Sequence, residues 1–141
     1  QPETGFRESY RIKGETLITV QDYTSGKLFD DAVSHAFYPV DLHTKTGVRP
    51  KPLKRGTVPS IPLGALVPKG SRNLIVAGRC VSSDRLANSG LRVQASCMGM
   101  GQAAAAAATL AVQGNTTPSE VPLAKIHGLL KKHGAIIPGK A

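Results

Sequence analysis

Tryptophan is absent from this 141-residue chain, and aromatic side chains of any kind are scarce, with three Phe and three Tyr. Flat stacking surfaces for single-stranded nucleic acid are therefore few. Cysteine is sparser still. Cys80 and Cys97 are too few and too widely spaced for a Cys-x-x-Cys metal or redox motif, so no metal centre is expected. They read as structural or free thiols rather than a disulfide, because nothing in the sequence marks an oxidising compartment. Long apolar runs are also missing. The stretch Ala103 to Ala108 is short and small, bracketed by Gln102, Thr109 and Gln113, and falls well below the roughly 20 residues of a membrane helix. The start, Gln1-Pro2-Glu3, has no basic-then-apolar secretory pattern. The default expectation is a cytoplasmic protein with no membrane span.

Acidic residues are the remaining scarcity: 9 Asp and Glu face 18 Lys and Arg, a formal charge of +9. Such an excess raises the question of a polyanionic partner. The cations gather in two places. Lys45, Arg49, Lys51, Lys54 and Arg55 crowd a Pro-rich loop from Thr44 to Pro59, and Lys131 and Lys132 lie near the end. With so few aromatics, no nucleic-acid partner is expected. One reading is a non-catalytic binding or assembly module whose basic loop meets an acidic partner. The other is that the acidic counterparts lie in a part of the protein beyond this chain, which also opens without Met.

What is present is one domain's worth of residues, 40% hydrophobic, enough for a core. Tyr10 to Val20 reads as one or two short strands, and Asp22 as the cap of a helical turn that Ser25-Gly26-Lys27 ends. Ala32 to Leu42 is a second extended region, with Pro39 at an edge or bend. After the basic loop, the apolar run Asn73 to Gly78 predicts a strand buried on both faces, as in parallel sheets. A loop from Arg79 to about Gly90 then leads to a long Ala-rich helix over Val93 to Gln113, stopped by Gly114-Asn115. Along it Cys97, Gly101, Ala104, Ala105 and Ala108 form a face of small side chains, suited to close approach of a sheet or a flat ligand. A last amphipathic helix runs from about Glu120 to His133, with Ser119 as N-cap, Pro122 in its first turn and a stripe of Leu123, Ile126, Leu129 and Leu130. The fold class is α/β, or α+β for this segment taken alone, with a strand–loop–long-helix centre.

Ligands of open α/β sheets sit beyond the carboxyl ends of strands, near helix N-termini. Here that place is marked by Gly78, which permits close backbone approach, and by Arg79 and Arg92, whose guanidinium forks suit phosphate or carbonyl groups. The string Gly99-Met100-Gly101-Gln102-Ala103-Ala104 matches a dinucleotide fingerprint only as letters. It falls about twenty residues after the predicted strand, inside the predicted helix, where no phosphate loop forms.

The segment Asn73-Leu74-Ile75-Val76-Ala77-Gly78-Arg79-Cys80-Val81-Ser82, with Leu91-Arg92-Val93-Gln94-Ala95-Ser96-Cys97-Met98-Gly99-Met100-Gly101-Gln102-Ala103-Ala104, resembles the C-terminal signature of a family of FAD-dependent oxidoreductases. Arg7-Glu8-Ser9, Arg11 to Gly14, Asp30-Asp31-Ala32, Tyr38-Pro39-Val40-Asp41-Leu42-His43 and the closing Lys132-His133-Gly134-Ala135 extend the likeness in order over most of the chain. The resemblance implies FAD as cofactor and a small-molecule substrate. Gly78 and Arg79 would line the ribityl and phosphate region, and Arg92, Val93 and Gln94 the pyrimidine side of the flavin. His43 with Asp41 would stand on the substrate side as an acid–base group, or His43 is a hydrogen-bonded structural residue. The family's N-terminal Gly-rich turn has no counterpart here, and Ala105 replaces a usual Gly. On this reading the chain is the C-terminal part of a larger flavoprotein, inactive by itself, and self-association through uncovered apolar edges is an expectation. Members often carry names linked to polysaccharide breakdown, such as xanthan lyase, but no residue here points to lyase chemistry.

Overall fold

The computed structural model describes residues 10–44, 47–48 and 50–139. Arg7-Glu8-Ser9, Lys45 and Arg49 lie outside the described residues. In chain order come α1 (Val20–Ser25), β1 (Ala32–His35), β2 (His43–Thr44), β3 (Gly47–Val48), β4 (Ser60–Pro62), a 3₁₀ turn (Leu63–Ala65), α2 (Arg85–Leu91), α3 (Gln94–Gln113) and α4 (Leu123–Lys132). This mixture of helices and small ladders agrees with an α/β class at that coarse level.

Helix α1 begins on a capping box. The Thr19 hydroxyl accepts the Asp22 amide at 3.1 Å, and the Asp22 carboxylate accepts the Thr19 amide at 3.1 Å. Asp22 is thus the third helical residue and Thr19 the cap, correcting the expectation from sequence. Burial pushes the Asp22 carboxyl up, but the bonds from Lys27 and Thr19 outweigh it and hold the group below its usual range. Gly26, at φ +71°, ends the helix as expected.

Asp84 caps α2, its Oδ1 accepting the Ala87 amide at 2.8 Å. Its other oxygen accepts the Val20 amide at 2.6 Å. One carboxylate therefore serves the first turns of two helices, which need such acceptors because their leading amides have no partner within the helix. Ile18 runs alongside, bonded to the carbonyl of Ser82 and accepting from the amide of Asp84. The expected strands of Tyr10 to Val20 reduce to the isolated pairings Gly14–Pro68 and Ile18–Ser83. The expected loop from Arg79 to Gly90 contains α2.

Strand β1 pairs antiparallel with β4 through Ala32–Pro62, Ser34–Ile61 and His35–Ser60, with a register shift between Ala32 and Ser34. Helix α3 crosses β1 at Gly99, where a Cβ would run into the Ser34 hydroxyl and oblige that side chain to shift. Ser96, Met100, Ala103, Ala104, Ala106, Ala107 and Ala111 are buried, so the Ala-rich run packs on β1 and α4. The expected small-residue face is offset from this one, and its Ala105 is exposed. Helix α3 holds 20 residues without a charge and is long and apolar enough to cross a bilayer by length and composition, unlike the expectation from sequence; 39% of that span is buried in the fold. The fingerprint-like string lies inside it, as expected.

The predicted strand at Asn73 to Gly78 is not formed. Leu74 is 51% exposed, and the segment's one backbone bond to a neighbouring segment runs from the Val76 amide to the Leu66 carbonyl, at 2.8 Å. A doubly buried strand needs a bonded neighbour along each edge, and the described residues provide none. Helix α4 begins at Leu123, not Glu120. Glu120 instead closes a turn, its carboxylate accepting the Thr117 amide at 3.2 Å and the Thr116 and Thr117 hydroxyls at 2.8 Å, and Pro122 keeps Val121 out of helical geometry. Ile126 and Leu130 are buried, in keeping with the predicted stripe.

Tyr23 of α1 lies wholly buried against α2, its hydroxyl donating to the Tyr38 carbonyl at 2.8 Å. A Cβ on Gly90 would come within 2.6 Å of that ring, so Gly90→Ala is expected to destabilise by about 1–3 kcal/mol in urea unfolding. Burial pushes the Tyr23 phenol up from 10.0 to about 12. The folded state favours the neutral phenol, so its contribution is complete below pH 10.0 and is lost as pH rises towards 12. Melting temperature should fall over that window, and Tyr23→Phe should flatten the fall. Asp84→Ala is expected to lower stability by about 2–3 kcal/mol, since two helix starts lose an acceptor.

Candidate functional site

The end of α2, the start of α3, the turn at Gly78 and the chain after β1 converge on a cleft of about 270 Å³ lined by Tyr38, Asp41, Arg79, Ser89, Arg92 and Val93. Gly78 adopts φ +98°, with open space where a Cβ would lie. Its carbonyl accepts the Val81 amide at 3.1 Å, closing the turn that carries Arg79. Asn88 fixes that turn from α2, donating from Nδ2 to the Arg79 carbonyl at 3.1 Å and to the Ser83 hydroxyl at 3.3 Å.

Asp41 is held at both ends of its backbone. Its amide donates to Ser89 Oγ at 3.0 Å, and its carbonyl accepts from Arg92 Nη2 at 3.0 Å. Ser89 in turn donates to the Leu86 carbonyl at 2.6 Å. The carboxylate is thereby aimed by main-chain contacts. Asp41 Oδ2 stands 3.3 Å from His43 Nε2, a contact that fixes the ring's orientation. Asp41 Oδ1 is buried without a hydrogen-bond donor among the described residues. A buried acceptor in that condition is costly to leave unmet, and its residue lines the cleft.

Of the residues expected from sequence, Asp41, Arg79, Arg92 and Val93 share this cleft, and His43 joins through Asp41. Gly78 stands beside it in the turn. Gln94 is exposed on the first turn of α3 and does not line it. The substrate-side and cofactor-side candidates thus meet in one place. Sequence reasoning missed Tyr38, Asn88 and Ser89. A signal for the last two existed in Asp84, a preferred N-cap residue just before Arg85-Leu86-Ala87.

A larger cleft of about 480 Å³ between α3 and α4 offers few polar groups beyond Gln102, Thr109 and His133, so it lacks the convergent chemistry of the smaller one. Cys80 and Cys97 are free thiols, as expected. Burial pushes the Cys97 thiol up; the nearby Arg79 charge opposes this and Cys80 adds to it. Among the described residues no cluster of His, Cys, Asp or Glu could hold a metal ion.

Two guanidinium groups and a carboxylate oxygen lacking a donor suit a polar ring edge or an anionic group. The volume is slightly below the roughly 300–1,000 Å³ of ordinary ligand pockets. The comparison of sequences gives the class. Residues 1–130 match the profile of the family described as FAD dependent oxidoreductase, and the chain belongs to that family. No curated protein and no solved structure matches it.

Ser89→Ala should free the Asp41 amide. Hydrogen exchange there is expected to quicken by about tenfold or less, in line with the loss of roughly 1 kcal/mol. The Val40 amide, bonded to the Lys51 carbonyl at 3.0 Å, should keep its protection.

Proposed function

We propose that this chain is the C-terminal, FAD-binding and substrate-side part of a flavin oxidoreductase acting on a small molecule. The observation that carries the reading is the meeting of Arg79 and Arg92 with the Asp41–His43 pair at one small cleft, in a chain of the FAD dependent oxidoreductase family. The residues present fit one end of the cofactor. Arg79 and Arg92 would offer charged donors to its oxygens, and the Asp41 carboxylate would accept from an N–H or O–H. When bound, the flavin would supply the centre that accepts and returns electrons.

The chain's own residues would do the rest. The two guanidiniums, held by α2 and by the Gly78 turn, present positive charge before any ligand arrives, so negative charge developing there needs little reorganisation. His43, oriented through Nε2 by Asp41, is the side chain of this group that both donates and accepts protons at ring nitrogens. Tyr38 and Val93 complete the lining of the cleft.

In this reading the phosphate-gripping loop belongs to another part of the protein, and the isolated chain has no turnover. Titration with FAD, followed by flavin fluorescence and melting temperature together, is expected to give weak binding to this chain and tight binding to the complete gene product. In the latter, Arg92→Ala should weaken FAD by about tenfold or more, the loss of one charge-assisted hydrogen bond. Unchanged affinity would remove Arg92 from the cofactor site.

A further inference from the structure

Among the described residues the basic loop takes no part in the cleft, yet it is built into the fold. Lys51 forms a two-bond pairing with Val40, amide to carbonyl at 2.8 Å and 3.0 Å, and Leu53 packs against the core. Between this segment and the outer side of α1 runs a groove of about 410 Å³, lined by Gln21, Thr24, Ser25, Lys51, Pro52, Leu53 and Lys54. Pro52 and Leu53 contribute apolar surface, and Lys51 and Lys54 carry charge along the same segment. Both lysines are exposed, and among the described residues neither enters an ion pair. Arg55, also exposed, extends the charge past the end of the groove.

We propose that this groove docks an acidic protein segment, with carboxylates on Lys51 and Lys54 and an apolar side chain on Pro52 and Leu53. Charge complementarity selects the occupant, in a chain whose net charge is +9. The apolar surface between the cations favours a peptide over a nucleic acid. No aromatic residue lines the groove to stack a base. The hydroxyls of Thr24 and Ser25 already donate to the Val20 and Asp22 carbonyls, at 2.8 Å and 3.1 Å, leaving their oxygens to accept from peptide amides. Lys51 is paired with Val40, the residue before Asp41. The docking surface itself does not depend on the flavin reading.

The test is fluorescence anisotropy with the full chain and a fluorescein-labelled peptide of two glutamates, a leucine and two further glutamates. A fluorescein-labelled thymidine oligonucleotide of equal charge serves as the competing probe. Saturable peptide binding is expected, weakening severalfold between about 50 mM and 300 mM salt as screening shortens the reach of the lysine charges. The double variant K51E/K54E should lose at least about tenfold in affinity, the factor that a lost pair of charged contacts brings. Replacing the peptide's leucine by serine should weaken binding severalfold. Both lysines are exposed, so the variant should melt with the wild type; if it does not, K51Q/K54Q gives the same comparison without charge reversal. Peptide binding that is absent, or unchanged in the variants, overturns the proposal. Equal or tighter oligonucleotide binding overturns it too, since the surface would then be a general polyanion site.

Discussion

The carboxylate of Asp84 is the contact on which the rest of this structure hangs. By accepting one amide from each of two helices, it sets α1 against α2 and fixes where α2 begins. Everything at the cleft is counted from that start. Asn88 reaches the turn that carries Arg79, Ser89 reaches Asp41, and Arg92 emerges at the C-cap to hold the Asp41 carbonyl. Tyr23, lying over Gly90, locks the same pair of helices through shape. Polar and apolar contacts thus agree on a single register, which is how a short helix of seven residues stays formed where isolated peptides of that length do not.

Much of the architecture was legible where it depends on local chemistry. The Ala-rich span of α3 carries its own propensity, and the stripe of α4 carries its period, so both were readable without knowledge of their neighbours. Gly26 likewise announced the end of α1. The run from Leu74 to Ala77 failed for the opposite reason: a strand is defined by what pairs with it, and apolar composition says nothing about whether a partner is there. The start of α4 misled because Ser119 and Glu120 belong to a turn of the same chemistry, and the restriction imposed by Pro122 on Val121 decided the boundary.

The cleft shows the same division. Arg79 and Arg92 were read from their places at the end of an expected strand and the start of an expected helix, whereas Asp41 and His43 were found through family resemblance alone, since no local pattern links positions so far apart. Ser89 and Asp41 are 48 residues apart, and a bond of that span leaves no trace in a sequence read alone. Asn88 and Ser89 sit in what reads as a loop when Asp84 is not taken as the cap of a helix there.

Asp41 is anchored by its amide and its carbonyl, and its side chain contributes to neither bond. The position therefore behaves as a socket with an exchangeable fitting. Lineages that replaced the carboxylate would keep the cleft's outline while altering what it prefers to hold. A scaffold arranged in this way can diversify its chemistry at one site without first having to survive a loss of shape.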